Sequence, residues 1–274
     1  MTEENNPCSS CSSKEGESCS SCSETKKSHQ LNQVKHVLAV MSGKGGVGKS
    51  TVAALLAVAL QKKGFKVGIL DADITGPSIP KLFGVQKAPE VTELGFFPVK
   101  SKSGIKLMSI NLLLENENDP VIWRGPVIAG VIKQFWEEVI WGDLDYLVVD
   151  LPPGTGDAPL TVMQSLPLDG AVVVTTPQDL AGMVVKKAIK MAQKMDIPLL
   201  GIVENMSYLE CSDCGKKLFP FGEGKTELMS QEYEIPFLGV LPLEPLTSSL
   251  GDQGKIEEST SYDRIKLELL KVKE

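Results

Sequence analysis

No apolar run in this sequence reaches the roughly 18 residues that a membrane-spanning helix needs, and the first 30 residues hold no apolar core of a secretory signal. Cations are in deficit: 28 Lys and Arg stand against 35 Asp and Glu. A net charge of −7 argues against a general nucleic-acid binder, whose affinity for phosphates is built from clustered Lys and Arg. Aromatic residues make up only 5% of the chain, and Trp123, Trp136 and Trp141 have just Arg124 and Lys133 as basic residues among them, which fits core or subunit contacts and not a base-stacking platform. A cytoplasmic protein without nucleic-acid or membrane partners is expected.

Histidine and cysteine are scarce in an informative way. The two histidines are His29 and His36, and no cysteine lies between Cys22 and Cys211. All six cysteines occur as C-x-x-C pairs, which in a chain without export signals points to metal or cluster ligation before disulfides. Cys8, Cys11, Cys19 and Cys22 fall within residues 1–35, a Ser-, Glu- and Lys-rich stretch with almost no large apolar side chain, so that stretch cannot offset the entropy of ordering and reads as a disordered tail. These four thiols are close enough to enclose one metal ion or cluster, as an accessory site. Cys211 and Cys214 offer half of a tetrahedral site and suit a zinc knuckle, a redox pair or a shared cluster. Completion needs the tail, a second subunit or an external ligand; a symmetric dimer with two such pairs on its axis gives four thiolates.

Residues 36–274, with their share of a 42% hydrophobic composition, can bury one large core. Apolar runs at Val37–Val40, Val67–Leu70, Tyr146–Val149, Gly170–Thr175, Leu199–Val203 and Pro236–Leu241 read as buried strands. Helical stretches alternate with them at Val52–Lys63, Val127–Val139 and Asp179–Met195, and a terminal docking helix is read from about Ser259. Val127, Val131, Phe135 and Val139 read as the core-facing stripe of their helix, and Pro80–Lys106 as surface loops with a short hairpin. The alternation implies an α/β fold of three layers, with helices on both faces of a mainly parallel sheet.

The chemistry sits where these strands end. Between the first strand and helix lies Gly43-Lys44-Gly45-Gly46-Val47-Gly48-Lys49-Ser50-Thr51, a complete phosphate-binding loop. Its glycines free the backbone N–H groups to face a polyphosphate, the helix N-terminus adds a favourable dipole, Lys49 adds positive charge, and Ser50 suits magnesium. The second strand delivers Asp71 and Asp73, which suit water positioning, indirect magnesium binding or the capping of the Gly76-Pro77 turn. The third ends in Asp150, a Walker B pattern, followed by Gly154, where a terminal phosphate could approach. Asn205 follows a later strand; its amide suits an adenine edge, or an ordinary turn.

With GKGGVGKST, DADITGPSIPKLFG (Asp71–Gly84), VVDLPPGTGD (Val148–Asp157), the Glu204–Ser207 segment and Cys211-x-x-Cys214 in this order, the chain resembles the Mrp family of iron-sulfur cluster carrier ATPases. That family is a branch of the deviant Walker A class with MinD, ParA and the nitrogenase iron protein. The resemblance implies an ATP-binding, ATP-hydrolysing P-loop NTPase working as a homodimer. Lys44 would reach the partner's phosphates, Lys49 its own; Ser50 would ligate Mg2+; Asp73 would orient the attacking water; Asp150 would be the Walker B acid. Asn205 would recognise adenine, with Pro242 and Gly154 completing the nucleotide contacts. Cys211 and Cys214 would bridge a [4Fe-4S] cluster between subunits, to be exchanged with cluster assembly scaffold proteins and apo iron-sulfur proteins. The tail spacing C-x2-C-x7-C-x2-C departs from the pattern of the cytosolic scaffold relatives. A MinD/ParA-like positioning ATPase shares the loop and fold, but the acidic charge and the added C-x-x-C count against it. A zinc-stabilised nucleotide-binding regulator is the other alternative.

Overall fold

Strand β1 (Gln33–Ser42) is apolar and rich in β-branched residues, with side chains that alternate between the two faces of the sheet. Val37, Ala39 and Met41 enter one core and Leu38 and Val40 the other. Burial on both faces is what a central strand of a parallel sheet requires. The computed structural model describes residues 28–73, 76, 78–114, 125–270 and 272. Trp123 and the four tail cysteines lie outside these residues.

After β1 the chain forms α1 (Lys49–Lys62), β2 (Val67–Asp71), α2 (Ile79–Leu82) and the small hairpin of β3 (Glu90–Thr92) and β4 (Gly95–Phe97). There follow β5 (Val99–Lys100), β6 (Lys106–Ser109), α3 (Gly125–Glu137), β7 (Asp143–Asp150), α4 (Asp157–Ser165), β8 (Gly170–Thr175), α5 (Asp179–Lys194) and β9 (Leu199–Glu204). A second hairpin, β10 (Leu209–Glu210) and β11 (Lys217–Leu218), precedes α6 (Thr226–Glu232), β12 (Phe237–Val240) and α7 (Pro245–Asp252). The main sheet runs β12-β9-β8-β1-β7-β2-β6-β5. Its strands are parallel except β5, which lies antiparallel to β6 at one edge. The strands β1, β2, β7, β8 and β9 therefore end on one edge of the sheet, where ligands of open α/β folds gather. Among the described residues, no helix is long and apolar enough to cross a membrane.

Helix α1 is buried almost all round, from Val52 to Leu60. One side packs on the sheet, and the other is covered by the C-terminal segment, whose Tyr262, Leu267 and Leu269 join the same core. That segment is not the helix read from its spacing. It makes three short 3-10 turns, Ile256–Glu258, Ser261–Arg264 and Leu267–Leu269. Buried hydroxyls explain the difference: Ser259 and Ser261 bond to Thr247, Ser261 also donates to Glu244 at 2.6 Å, and the Lys266 N–H donates to the Leu238 carbonyl beside β12. Such local and cross-chain bonds replace helical ones.

Two other readings shift. Helix α3 faces the core with Ile128, Ile132, Phe135 and Trp136, while Val127 is 48% exposed. An α-helix returns to one face after three or four residues in alternation, so a strict four-residue stripe drifts off it. The strand β1 begins at Gln33, ahead of residue 36; before it, Asn32 Nδ2 donates to the Val139 carbonyl at 2.8 Å and His29 Nε2 to that of Leu94 at 2.9 Å. Trp136 and Trp141 are core residues, as their apolar surroundings require.

Candidate functional site

The phosphate loop leaves β1 at Ser42, whose hydroxyl donates to the Lys44 carbonyl at 2.9 Å, and enters α1 at Lys49. Gly46 and Gly48 hold φ of +78° and +77°, a left-handed backbone that suits glycine and few other residues. Gly43 is fixed by proximity: a Cβ there would lie 2.6 Å from both the carbonyl oxygen and a methyl of Val184 in α5. Behind the loop, the Gly154 N–H donates to the Ser42 carbonyl at 3.0 Å, with Gly154 itself at φ +95°. A cleft of about 230 Å³ results, lined by Ser42, Lys44, Gly45, Gly46, Gly48, Lys49, Ser50, Thr51, Asp73 and Pro153. Val47 is buried beneath it.

Beneath that cleft lies a knot of buried charge. Lys49, only 6% exposed, donates to Asp150 Oδ1 at 2.6 Å and stands 3.7 Å from Asp73 Oδ2. Asp71 and Asp150 are paired residues on adjacent strands β2 and β7. Asp71 accepts from the N–H groups of Asp73, Ser78 and Ile79 at 3.2, 3.0 and 3.1 Å, and from the Ser109 hydroxyl at 3.3 Å. Of the roles read for this pair, Asp71 takes the capping one, holding the turn that carries Asp73. Burial, and then the charge of Asp150, push the Asp71 carboxyl up to about 8. Burial also raises Asp150, although the Lys49 ammonium opposes the shift.

Three carboxylates thus crowd one bonded ammonium, and Asp150 Oδ2 is buried with no hydrogen-bond partner. An orphaned carboxylate oxygen in an acid-rich cleft is a donor set that suits a hard divalent cation, with the Ser50 hydroxyl, which also acts on Asp150, alongside. Lys44 points elsewhere: its ammonium donates to Gln178 Oε1 at 2.7 Å, just before α5. Gln178 has no local sequence signal that marks it as a partner.

Asn205, 7% exposed, follows β9 and reaches the same loop, with Nδ2 donating to the Val47 carbonyl at 2.9 Å and packing against Gly48. Two residues on, the Ser207 N–H donates to the Leu241 carbonyl at 3.0 Å, and the Leu243 N–H donates to that of Tyr208 at 2.7 Å. These bonds bind the segment after β9 to the loop holding Pro242.

The cysteines sit at the tip of the β10–β11 hairpin. The Cys211 N–H donates to the Lys216 carbonyl at 3.0 Å and the Gly215 N–H to that of Cys211 at 2.9 Å, with Gly215 at φ +69° closing the turn. The N–H groups of Asp213 and Cys214, then the Cys214 thiol, face the Cys211 sulfur and hold its thiol below the ordinary range. Among the described residues, no further His, Cys, Asp or Glu joins Cys211 and Cys214 in a group that could hold a metal ion. Cys211 and Cys214 are free thiols, the first half-buried and the second exposed. Leu218, Phe219 and Phe221 are exposed beside them. A cleft of about 340 Å³ is shared by Cys211, Ser212 and Gly215 with Pro242, Leu243, Glu244 and Arg264. The hairpin and the Pro242 loop are thus walls of one cleft.

Comparison with known proteins agrees with this pairing of features. A family model described as ParA: NUBPL iron-transfer P-loop NTPase matches residues 33–272. An iron-sulfur cluster carrier protein of Clostridium perfringens is 50% identical over 228 residues, 80% of each chain. A nucleotide-binding protein from Archaeoglobus fulgidus, solved in complex with ADP and with Co found in it, has a TM-score of 0.76 and 51% identity over 84% of this chain and 91% of that one. The cell-division ATPase MinD of Pyrococcus furiosus is 22% identical, with a TM-score of 0.59 over 86% of this chain and 96% of that one, and shares the fold.

Proposed function

The chain belongs to the ParA/NUBPL family of iron-transfer P-loop NTPases, and from that premise we propose that it binds and hydrolyses ATP and carries a [4Fe-4S] cluster to apo-proteins. The observation that carries this reading is the cleft lined by both Cys211 and the loop of Pro242, which sets one thiol of the pair against the loop that we read as an adenine contact. The relative solved with ADP supports nucleotide binding, and the carrier name of the relatives supports the cargo.

Each residue then has a chemical task. Lys49 moves from Asp150 to the phosphates, exchanging one anionic partner for another. Asp150 and Ser50 would hold Mg2+, which would supply charge neutralisation at the phosphates. Asp73 orients the attacking water. Asn205 leaves the Val47 carbonyl for the adenine edge, with Pro242 against the ring. Gly43, Gly45, Gly46, Val47, Gly48, Thr51 and Gly154 form the cradle. Lys44 leaves Gln178 for the phosphates of a second copy, which makes hydrolysis sensitive to dimer geometry.

The same homodimer completes the cysteine site. Two donors per chain become four when two hairpins meet, and the exposed Leu218, Phe219 and Phe221 are the apolar surface such a meeting, or a visiting client, would cover. A cytoplasmic setting, where free thiols persist, suits the paired cysteines. Cys8, Cys11, Cys19 and Cys22 serve as an accessory site.

Anaerobic reconstitution with iron and sulfide, followed by transfer to an apo-acceptor, tests the reading. The wild type should load iron and sulfide and transfer them, removal of residues 1–27 should leave loading at Cys211 and Cys214 intact, and Cys211→Ala in that shortened chain should do neither. Normal loading and transfer by that variant sinks the bridging site. Zinc in place of iron after anaerobic purification favours the regulator, and nucleotide-dependent cosedimentation with lipid or DNA favours the positioning ATPase.

A further inference from the structure

Glu204, the last residue of β9, is buried at 4% exposure and has no task in the nucleotide or cluster chemistry. Its two carboxylate oxygens are divided between two distant hydroxyls. Ser207 Oγ donates to Oε1 at 2.6 Å, and Thr226 Oγ1 donates to Oε2. Gly224 lies directly against the carboxylate, where a Cβ would collide with it. Between Ser207 and Thr226 runs the whole excursion that carries the β10–β11 hairpin, Cys211 and Cys214. One buried carboxylate therefore pins both the entry and the exit of the cysteine-bearing excursion.

The neighbouring residue completes the link. Asn205 follows Glu204 directly and donates to the Val47 carbonyl of the phosphate loop. Its own N–H is held by the Thr175 carbonyl at 2.8 Å, and Met206 takes φ +57°, a left-handed backbone that a methionine adopts only where surrounding bonds over-determine it. A chain so tightly held cannot absorb a shift of Asn205 locally, and Glu204 is the next fixed point along it.

We propose that Glu204 is a positioning residue that couples the nucleotide site to the cysteine hairpin, by clasping both stems of the hairpin at the point where Asn205 contacts the phosphate loop. The inference deepens the function proposed above, on which its purpose rests. Nucleotide that draws the Asn205 amide off the Val47 carbonyl moves the Glu204 clasp, and the clasp moves Ser207 and Thr226 together, so the hairpin turns as a unit.

The test needs no cluster. In the full-length, reduced, metal-free chain, the alkylation rates of Cys211 and Cys214 are measured by iodoacetamide labelling with peptide-resolved mass spectrometry, without nucleotide and with saturating Mg-ADP or a non-hydrolysable Mg-ATP analogue. The wild-type rate should change about fivefold between these states, the lower end of ordinary site-to-site coupling. Glu204→Ala should bring the ratio close to one while nucleotide still binds. Glu204→Gln, whose amide can exchange hydrogen bonds with both hydroxyls, should keep most of it. If Glu204→Ala does not fold, Ser207→Ala and Thr226→Val each open one arm of the clasp, and both should reduce the ratio. A wild-type ratio in Glu204→Ala, or in both single-arm variants, overturns the proposal; so does a ratio of one in the nucleotide-bound wild type. Failure of Cys211 to take up iron would defeat the proposed cargo and leave this ratio untouched, so the two can fail separately.

Discussion

The phosphate-loop knot and the cysteine hairpin sit at the same edge of one sheet and are built in opposite ways. Lys49 and Asp150 are buried and balance one another's charge, and the buried Asp71 carboxyl is held by N–H groups. Cys214 is exposed, Cys211 is half-buried, and the strands that present them are two residues long. In the knot, function and folding energy are carried by the same atoms; in the hairpin, backbone bonds shape a turn that the rest of the core does not feel. A site of the first kind resists any single change, and one of the second kind can be altered without unfolding the protein.

The largest effect that would break this contrast is at Lys49. Lys49→Met strips the ammonium from a buried carboxylate and should cost about 3–5 kcal/mol in urea unfolding near neutral pH. Adding Asp150→Asn should recover most of that loss, because the stranded charge goes with it; an additive pair would show that the knot is not one unit. Next comes Gly43→Ala, whose new methyl meets the Val184 backbone at 2.6 Å and should cost about 1–3 kcal/mol, read as a lowered melting temperature. In the hairpin, the double change Cys211→Ser and Cys214→Ser should leave the metal-free chain within about 0.5 kcal/mol of wild type. A larger loss would mean that the hairpin is part of the folding core. The smallest effect sharpens the comparison through pH. Because N–H groups lower the Cys211 pKa, its thiolate forms at lower pH, and half-maximal alkylation should fall below the roughly 8.5 of an unstructured cysteine. A midpoint at or above that value would remove the N–H groups from the account.

The same division decides what the sequence reveals. The strands and the phosphate loop are legible because a parallel strand buried on both faces is a continuous apolar run, and Gly43 to Thr51 is a local motif between two such elements. Asp73, Asp150, Asn205 and the cysteine pair are legible as residues at strand ends or in turns. What joins them is not. Lys44 meets Gln178 and Glu204 meets Thr226 only because the fold brings distant strand ends together, and no local pattern encodes those bonds. The C-terminal segment shows the reverse error: Tyr262, Leu267 and Leu269 dock on the core, but Ser259 and Ser261 find partners in Thr247 and Glu244 that a helix would forgo. In the stripe read for α3, only Val127 misses the core, one residue ahead of Ile128, while Phe135 and Val139 lie in it and Val131 packs against it.

The place of β1 in the sheet bears on how the protein is made. β1 is the first strand of the main sheet to be synthesised, yet its sheet partners are β7 and β8, so it has no neighbour to pair with until β7 has emerged from the ribosome, and its other side stays open until Thr175 has followed. Until then this strand, with the phosphate loop attached, has an unpaired side, and its pairing is among the slow, long-range kind. A nascent chain stalled before β8 would hold every residue of the phosphate loop but not Asn205, which bonds to it. The contact of Asn205 with Val47 therefore marks completed synthesis of the central strands: a chain that makes it has already delivered β8 and β9.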